Sequence, residues 1–256
     1  MTKTVVLIHG AWQVPASWDR FKSRFEAAGY TVIAPSWPLM DRPVAELNAN
    51  PDPKFGSLTV GAIVDHYEAI IRALPEKPLI LGHSFGGLIA QLLLDRGLGS
   101  AGVALDPAPI GGLIPGPKPL SAAFPVLARL NGWSRPFTLS KAAYDKGFAN
   151  TAPKAQRDEE YANYVVPAPG RIFFQAALNI GTWVSPKKRT QPLLIVVGEK
   201  DNTVTPNLAR QAYNRQKGSK ARTDFHEFAG RSHYLANEPG WEEVADYAIE
   251  WAGRNA

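Results

Sequence analysis

The sequence predicts an α/β fold in which a parallel β-sheet is covered by helices on both faces. Short apolar runs of strand-forming residues alternate with amphipathic helical patterns, which is typical of that architecture. The apolar runs are nearly continuous, as in strands that are buried on both faces. A chain of 256 residues, 45% hydrophobic and 20% charged, is long enough for one such domain carrying an insertion.

Six strands and five helices account for this alternation. The predicted strands are Thr4–Ile8, Thr31–Ala34, Pro78–Leu81, Gly102–Leu105, Leu193–Val197 and Thr223–Phe228. The predicted helices lie around Trp18–Ala28, Val60–Leu74, Phe85–Asp95, Pro206–Gln216 and Trp241–Trp251. In the second helix, Ile63, Tyr67 and Ile70 recur at spacings of four and three, which gives one apolar stripe.

The alternation breaks once, after the fourth strand. Residues 107–187 contain helical pieces punctuated by proline and glycine but no strand pattern, and they far exceed an ordinary connection of two to six residues. We therefore expect a core of residues 1–106 and 188–256 and a helical cap subdomain of residues 107–187. The Pro-rich segment 35–57, "PSWPLMDRPVAELNANPDPKFGS", predicts an extended surface loop.

Composition excludes several classes of function. The chain has no cysteine, so disulfides, a cysteine nucleophile and thiolate metal sites are excluded. The net charge of +5 comes from scattered basic residues, which predicts no nucleic-acid partner. No apolar run approaches the ~20 residues of a membrane span, and the amino-terminal apolar run is too short for a secretory signal. We expect no membrane insertion and a cytoplasmic protein, while the oligomeric state stays open.

The stretch "PLILGHSFGG" (Pro78–Gly87) contains the pattern G-x-S-x-G, from Gly82 to Gly86. It lies between a buried strand and the helical run "FGGLIAQLLLD". A sharp turn there strains the serine backbone, and glycine two positions either way avoids collisions with neighbouring chain. Ser84 is therefore the predicted nucleophile, lifted above the sheet by this turn.

A serine nucleophile needs a base, and the base needs an orienting acid. Of the five histidines, only His233, in "FAGRSHYL", lies in a loop just beyond the carboxyl end of a strand, the edge where ligands bind in such sheets. Two aspartates are candidates for the acid. Asp201 follows the fifth strand and Asp106 follows the fourth, so the residues alone leave the choice open.

Acyl transfer also needs donors for the oxyanion. One is expected from the backbone N–H of Phe85, directly after the nucleophile. The other is expected from Ala11, in the loop "LIHGAW" after the first strand, where Gly10 permits a close approach of the backbone.

Taken together, "VVLIHGAW", "LILGHSFGG", "LLIVVGEKDNTV" and "GRSHYL" resemble the α/β-hydrolase superfamily, of the capped bacterial serine esterase and lipase type. The resemblance implies Ser84 as nucleophile, His233 as base and Asp201 as acid, because Gly198 to Asp201 matches the family's G-x-x-D pattern. It also implies Ala11 and Phe85 as oxyanion-hole donors. Because the chain begins at the family's third strand, we expect a wholly parallel sheet of six strands.

The sequence departs from the family's pattern in two places, at its start with the third strand and in the segment after the second strand, and the resemblance also implies an activity. The segment after the second strand shows "PSWPLMD" and lacks the family's common D-x-x-G-x-G. The implied activity is hydrolysis of small-molecule carboxylic esters through an acyl-enzyme, without a metal or cofactor. We expect short- to medium-chain esters to be preferred, with Trp12, Phe174 and Trp183 as candidate substrate-binding residues.

The catalytic residues alone leave two alternatives open. Hydroxynitrile lyases, perhydrolases and carbon–carbon bond hydrolases keep the serine and its partners. A non-catalytic, ligand-binding member of the fold is the alternative outside enzymes.

Overall fold

The computed structural model describes residues 4–256. The strands are β1 (Thr4–Ile8), β2 (Thr31–Ile33), β3 (Leu79–His83), β4 (Ala101–Leu105), β5 (Pro136–Phe137), β6 (Ala168–Pro169), β7 (Leu193–Gly198) and β8 (Thr223–Phe228). The α-helices are α1 (Asp19–Ala27), α2 (Val44–Ala49), α3 (Val60–Arg72), α4 (Phe85–Asp95), α5 (Pro117–Leu127), α6 (Lys141–Ala143), α7 (Lys154–Tyr164), α8 (Gly170–Ala177), α9 (Pro206–Gln216) and α10 (Trp241–Asn255).

Six strands form one sheet in the order β2-β1-β3-β4-β7-β8, and every neighbouring pair is parallel. The predicted α/β fold and its six-stranded parallel sheet are confirmed. Because all six strands run the same way, their carboxyl ends share one edge. The strand order reverses direction around β1 and β3, so the loops after these two strands lie side by side at that edge.

Two apolar layers cover the sheet. Along β1, Val6 and Ile8 pack into one cluster, whereas Val5 and Leu7 pack into the other, as the alternation of side chains in a strand requires. Helices α3, α4 and α9 contribute to the first cluster, and α1 and α10 to the second. The helices therefore lie on both faces, as predicted.

The chain leaves this pattern between β4 and β7, where α5 to α8 lie in one long excursion. We call residues 107–187 the insertion. It contains a two-residue antiparallel ladder between β5 and β6, which corrects the expectation of no strand there. A ladder of this length leaves no alternating pattern in the sequence.

The segment 35–57 also differs from the expected extended loop. It includes the short helix α2 and a 3₁₀ turn at Phe55–Ser57. Leu47 of α2 is buried and joins the first apolar cluster, so tertiary packing stabilises a helix in a Pro-rich segment. Across residues 4–256, no helix has the length and apolar character needed to cross a membrane.

Candidate active site

Ser84 occupies a strained turn between β3 and α4. Its φ of 54° and ψ of −119° lie where side-chain-bearing residues are rarely found. A Cβ on Gly82 would lie 2.0 Å from the carbonyl oxygen of Gly86, and a Cβ on Gly86 would lie 2.0 Å from that of Ile8. Both distances are impossible, so the two glycines are required for the turn that carries Ser84. Such strain is typical of functional sites.

His233 and Asp201 form a buried pair next to this turn. The Nδ1 of His233 donates to Oδ2 of Asp201 at 2.7 Å, and neither side chain is exposed to solvent. The other oxygen of Asp201 accepts from the backbone N–H groups of Thr203 and Val204, at 2.6 and 2.8 Å. The Nε2 of His233 is buried and has no hydrogen-bond partner within residues 4–256. The pair thus presents one imidazole nitrogen that is free to accept a proton.

Two further residues hold the His233 ring in place. The Nε2 of His83 lies 2.7 Å from the backbone carbonyl oxygen of His233, to which it donates. Burial lowers the pKa of His83 well below its ordinary value, and His233 adds to this, so His83 is neutral. The ring of Phe148, from the insertion, meets His233 edge-on with centroids 4.8 Å apart. The sequence pattern predicted neither role, because His83 only occupies a variable position of the G-x-S-x-G pattern and the spacing around Phe148 carries no signal.

Asp106, the alternative acid, is not hydrogen-bonded to His233. Its Oδ1 accepts from the N–H of Gly198 at 2.8 Å, and its buried Oδ2 has no hydrogen-bond partner within the described residues. Burial, followed by the nearby charge of Asp201, raises the pKa of the Asp106 carboxyl well above its ordinary value. The protonated form of the Asp106 carboxyl is therefore favoured more than in an ordinary aspartate.

One group of potential metal ligands includes these residues. Ligand atoms of His83, Asp106 and His233 lie within 4.8 Å of one another, and all three residues are buried. The Nε2 of His83 already donates to the carbonyl oxygen of His233. A metal ion bound there would break the contact that positions His233.

The loop after β1 lies against Ser84. A Cβ on Gly10 would be 3.0 Å from the Cβ of Ser84, so this glycine allows the loop to approach the serine closely. His9 fixes the loop: its Nδ1 donates to the carbonyl oxygen of Gly10 at 2.9 Å, and its Nε2 accepts from the N–H of Trp37 at 3.3 Å. Burial lowers the pKa of His9 to about 4, so the ring is neutral in this arrangement. Ala11 follows directly and is buried.

The second predicted oxyanion donor is the N–H of Phe85. Phe85 is the first residue of α4, and the first N–H groups of a helix have no partner within the helix. They also lie at the positive end of the helix dipole, which favours negative charge. The loop after β1 and the start of α4 are the two elements expected to surround an oxyanion formed beside Ser84.

A mainly apolar pocket of about 110 Å³ opens beside Ser84. The core contributes Trp12 and Phe85 to its walls, and the insertion contributes residues of α5 and Phe173 of α8. The ring of Phe173 contacts both Trp12 and Phe85, with centroid distances of 4.8 and 5.0 Å. Trp12 is held by its Nε1, which donates to the carbonyl oxygen of Phe137 at 2.8 Å.

Two of the predicted substrate-binding residues lie elsewhere. Phe174 packs on Trp133, with centroids 5.5 Å apart, and does not line this pocket, because consecutive residues of a helix point about 100° apart. Trp183 is 55% exposed, and the guanidinium of Arg215 lies over its ring at 5.3 Å. Phe173 therefore lines the pocket together with Trp12, whereas the predicted residues Phe174 and Trp183 do not.

The insertion is tied to the loop that carries His233, which we call the histidine loop (residues 229–240). Tyr234 donates its hydroxyl proton to Glu160 of α7, and the hydroxyl of Thr151 donates to Glu238. Glu238 also accepts from the N–H and hydroxyl of Ser232, at 2.7 and 2.8 Å. The α7 side of the insertion therefore helps to shape the loop that holds the imidazole.

Comparisons with known proteins agree with this architecture. A family model described as "Alpha/beta hydrolase family" matches residues 5–247. A search of curated proteins found no match.

Solved structures share the fold along nearly the whole chain. The monoacylglycerol lipase of Paleococcus ferrophilus aligns with a TM-score of 0.72 at 23% identity, over 98% of this chain and 95% of that one. Tomato methylketone synthase I aligns with a TM-score of 0.71 at 17% identity, over 100% of both chains. A methylesterase from Arabidopsis aligns with a TM-score of 0.69 at 15% identity, over 98% of both chains. At these identities the likeness shows the fold alone.

Proposed function

The chain belongs to the alpha/beta hydrolase family, and on that premise we propose that it hydrolyses carboxylic esters of small to medium size through an acyl-enzyme formed on Ser84. The observation that carries the proposal is the buried His233–Asp201 pair beside the strained serine turn, with the Nε2 of His233 left without a partner. A buried imidazole nitrogen with no partner is costly unless a reacting group uses it.

In the proposed reaction, Ser84 Oγ transfers its proton to Nε2 of His233 as it attacks the ester carbonyl carbon. Asp201 holds the imidazole with Nδ1 protonated and stabilises the imidazolium that forms. Ser84 Oγ is not hydrogen-bonded to Nε2 in the free protein, and in the proposed reaction this hydrogen bond forms once substrate is bound. The N–H groups of Ala11 and Phe85 stabilise the oxyanion.

The leaving alcohol takes the proton from His233, which completes the acyl-enzyme. A water molecule then attacks the acyl carbon, with its proton going to Nε2. The carbon–Oγ bond breaks, the proton returns to Ser84, and the carboxylic acid leaves. This cycle uses no cofactor.

The pocket supports small substrates. A cavity of roughly 150 Å³ holds a benzene ring, and the pocket beside Ser84 measures about 110 Å³. Its lining is mainly apolar, so it suits the hydrocarbon part of an acyl or alcohol group. We propose that the insertion acts as a cap that closes this pocket, because α5 and Phe173 supply much of its wall.

The test is covalent labelling combined with turnover. An organophosphonate should add one label, which mass spectrometry locates on Ser84, and Ser84→Ala should hydrolyse a short p-nitrophenyl ester at least ~10³-fold more slowly. His66→Ala is a matched control for His233→Ala, because His66 lies on α3 away from the serine turn. Near-normal turnover by Ser84→Ala would contradict the mechanism. Labelling without hydrolysis of any ester would instead favour the lyase, perhydrolase or carbon–carbon hydrolase chemistries.

A further inference from the structure

The insertion exposes an unusual amount of apolar surface. Within residues 4–256, eight large hydrophobic side chains are exposed, and seven of them lie between residues 114 and 183. We call these seven the apolar face: Ile114, Leu120, Phe124, Leu130, Leu178, Ile180 and Trp183. Leu130 is 88% exposed, Ile114 78% and Phe124 66%. Apolar exposure concentrated in this way marks an interaction surface.

The seven side chains come from neighbouring elements. Leu120 and Phe124 are four residues apart on α5, so they share one side of that helix. Helix α5 packs on α8, whose end leads to Leu178 and Ile180. Two hydrogen bonds of 2.8 Å join the segment before α5 to the segment after α8. The N–H of Gly111 donates to the carbonyl oxygen of Thr182, and the N–H of Gly112 donates to Oδ1 of Asn179.

The net positive charge of the chain lies in the same segment, because acidic residues are few there. Residues 107–187 contain nine Lys or Arg and four Asp or Glu, a net charge of +5 that equals the net charge of the whole chain. All four acidic residues lie between positions 145 and 160. Three of them, Asp145, Asp158 and Glu160, form salt bridges on the α6–α7 side.

Lys118 lies two residues before Leu120 on α5, and Arg129 directly precedes Leu130, so both adjoin the apolar face along the chain. Lys118, Arg129 and Arg135 are exposed, and no carboxylate in the described part of the chain pairs with any of them. Lys118 donates to the side-chain oxygen of Asn202, and Arg129 donates to the carbonyl oxygen of Pro136. Each cation therefore keeps its charge available for an external anion.

We propose that the apolar face docks on the surface of an anionic lipid bilayer. Protruding apolar side chains bordered by Lys and Arg suit insertion between acyl chains together with attraction to anionic headgroups. A second copy of the chain is disfavoured, because a two-fold interface through this face would place like charges opposite one another. The surface binds peripherally, since no described helix can span a membrane.

The pocket beside Ser84 opens at this surface. Leu120 lines the pocket and is also 49% exposed, so it belongs to both the pocket wall and the apolar face. Docking therefore brings the pocket opening to the lipid, where an apolar ester would be concentrated. The docking proposal does not depend on the proposed ester hydrolysis, so an experiment can contradict one of them without contradicting the other.

The test is co-sedimentation of the full chain with vesicles of phosphatidylglycerol and phosphatidylcholine (1:1), compared with phosphatidylcholine alone. The chain should bind the anionic vesicles, and the affinity should fall as salt is raised from 50 to 500 mM. Phe124→Glu should weaken binding about tenfold or more. Leu39→Glu is the matched control, because Leu39 is exposed but lies outside the apolar face.

A charge-reversal pair separates electrostatics from the apolar contact. Lys118→Glu with Arg129→Glu should abolish the preference for anionic vesicles, whereas Lys22→Glu with Lys54→Glu, which changes the net charge equally, should bind nearly as the parent does. Ser84→Ala should bind vesicles normally, and Phe124→Glu should hydrolyse a water-soluble ester normally.

Three results would overturn the proposal. The first is no binding to anionic vesicles at 50 mM salt, and the second is equal loss of binding in the two charge-reversal pairs. The third is a dimer in sedimentation velocity that Phe124→Glu dissociates, because the face would then be a subunit interface.

Discussion

Replacing Asp201 by Asn should switch the proton on His233 to the wrong nitrogen. One oxygen of Asp201 accepts from two backbone N–H groups, those of Thr203 and Val204, and the other accepts from Nδ1 of His233. An Asn side chain must keep its oxygen toward the two backbone donors, so its NH₂ group faces His233. The imidazole then accepts at Nδ1 and carries its proton on Nε2, where it cannot receive the proton of Ser84.

The expected loss is about 10⁴-fold in kcat, which corresponds to about 5 kcal/mol of activation free energy. The fold should persist, because the two backbone hydrogen bonds to the oxygen are kept. The Asp201→Asn variant should therefore combine a near-native melting temperature with the catalytic defect.

Asp106→Asn is the matched control, since it makes the same change one strand away. Asp106 is expected to be a neutral acid, so an Asn amide, also neutral and able to donate, should keep activity within about tenfold. A raised carboxyl pKa in the folded state reduces stability progressively as pH rises above the unfolded value. Asp106→Asn should therefore be at least as stable as the parent at pH 8. Its advantage in the free energy of unfolding should grow as pH rises above about 4.

The assay is kcat and KM for a short p-nitrophenyl ester, together with urea unfolding of each variant at pH 5 and pH 8. If Asp106→Asn loses 10⁴-fold and Asp201→Asn is nearly unaffected, the acid is Asp106 and the reasoning from the hydrogen bonds of Asp201 is wrong.

Two further predictions concern the pocket and the pH dependence of stability. Phe173→Ala should enlarge the pocket and move the optimum of kcat/KM toward longer acyl chains in a series of esters from acetate to palmitate. Phe174→Ala and Trp183→Ala should leave this chain-length preference unchanged. An identical shift in all three variants would contradict the assignment of Phe173 alone to the pocket wall. Because burial lowers the pKa of His9 to about 4, the unfolded chain binds a proton between about pH 6.5 and pH 4 that the folded chain does not, so stability falls as pH falls through this window. At pH 4.5, His9 lowers the free energy of unfolding by roughly 2.5 kcal/mol. The difference in the free energy of unfolding between pH 7 and pH 4.5, measured with urea, should therefore be correspondingly smaller for His9→Gln. An unchanged difference would mean that His9 is not held neutral.

The strands and the serine turn could be predicted because their local pattern and their tertiary role coincide. Strands buried on both faces need unbroken apolar runs, as in "VVLI" and "LLIVV". The serine turn needs Gly82 and Gly86 where neighbouring carbonyl oxygens would otherwise collide with a side chain. In both cases the residue types follow directly from the backbone geometry.

The pocket wall could not be predicted in the same way. The sequence places Phe173 and Phe174 side by side, and only the packing of α8 on α5 and on the loop after β1 decides which ring turns toward Ser84. Trp183 is a large aromatic residue that ends in a half-exposed position against Arg215. Aromatic content alone therefore indicates that the insertion is packed, but it does not show which aromatic side chains line the pocket.

The choice between the two aspartates also depended on three dimensions. Asp106 and Asp201 both follow parallel strands at the same edge of the sheet, so the strand pattern does not distinguish them. The hydrogen bond to His233 distinguishes them, and it depends on the path of the histidine loop.

The contacts between α7 and the histidine loop bear on how chimaeras of this chain can be built. Exchanging residues 107–187 as a block would remove Phe148 from its contact with His233 and would leave the Tyr234 hydroxyl without its Glu160 partner. A recombinant that exchanges the whole insertion must therefore exchange the histidine loop with it. A crossover confined to residues 107–139 leaves these two contacts intact, and it must instead preserve the packing of α5 on α8 and the pairing of β5 with β6.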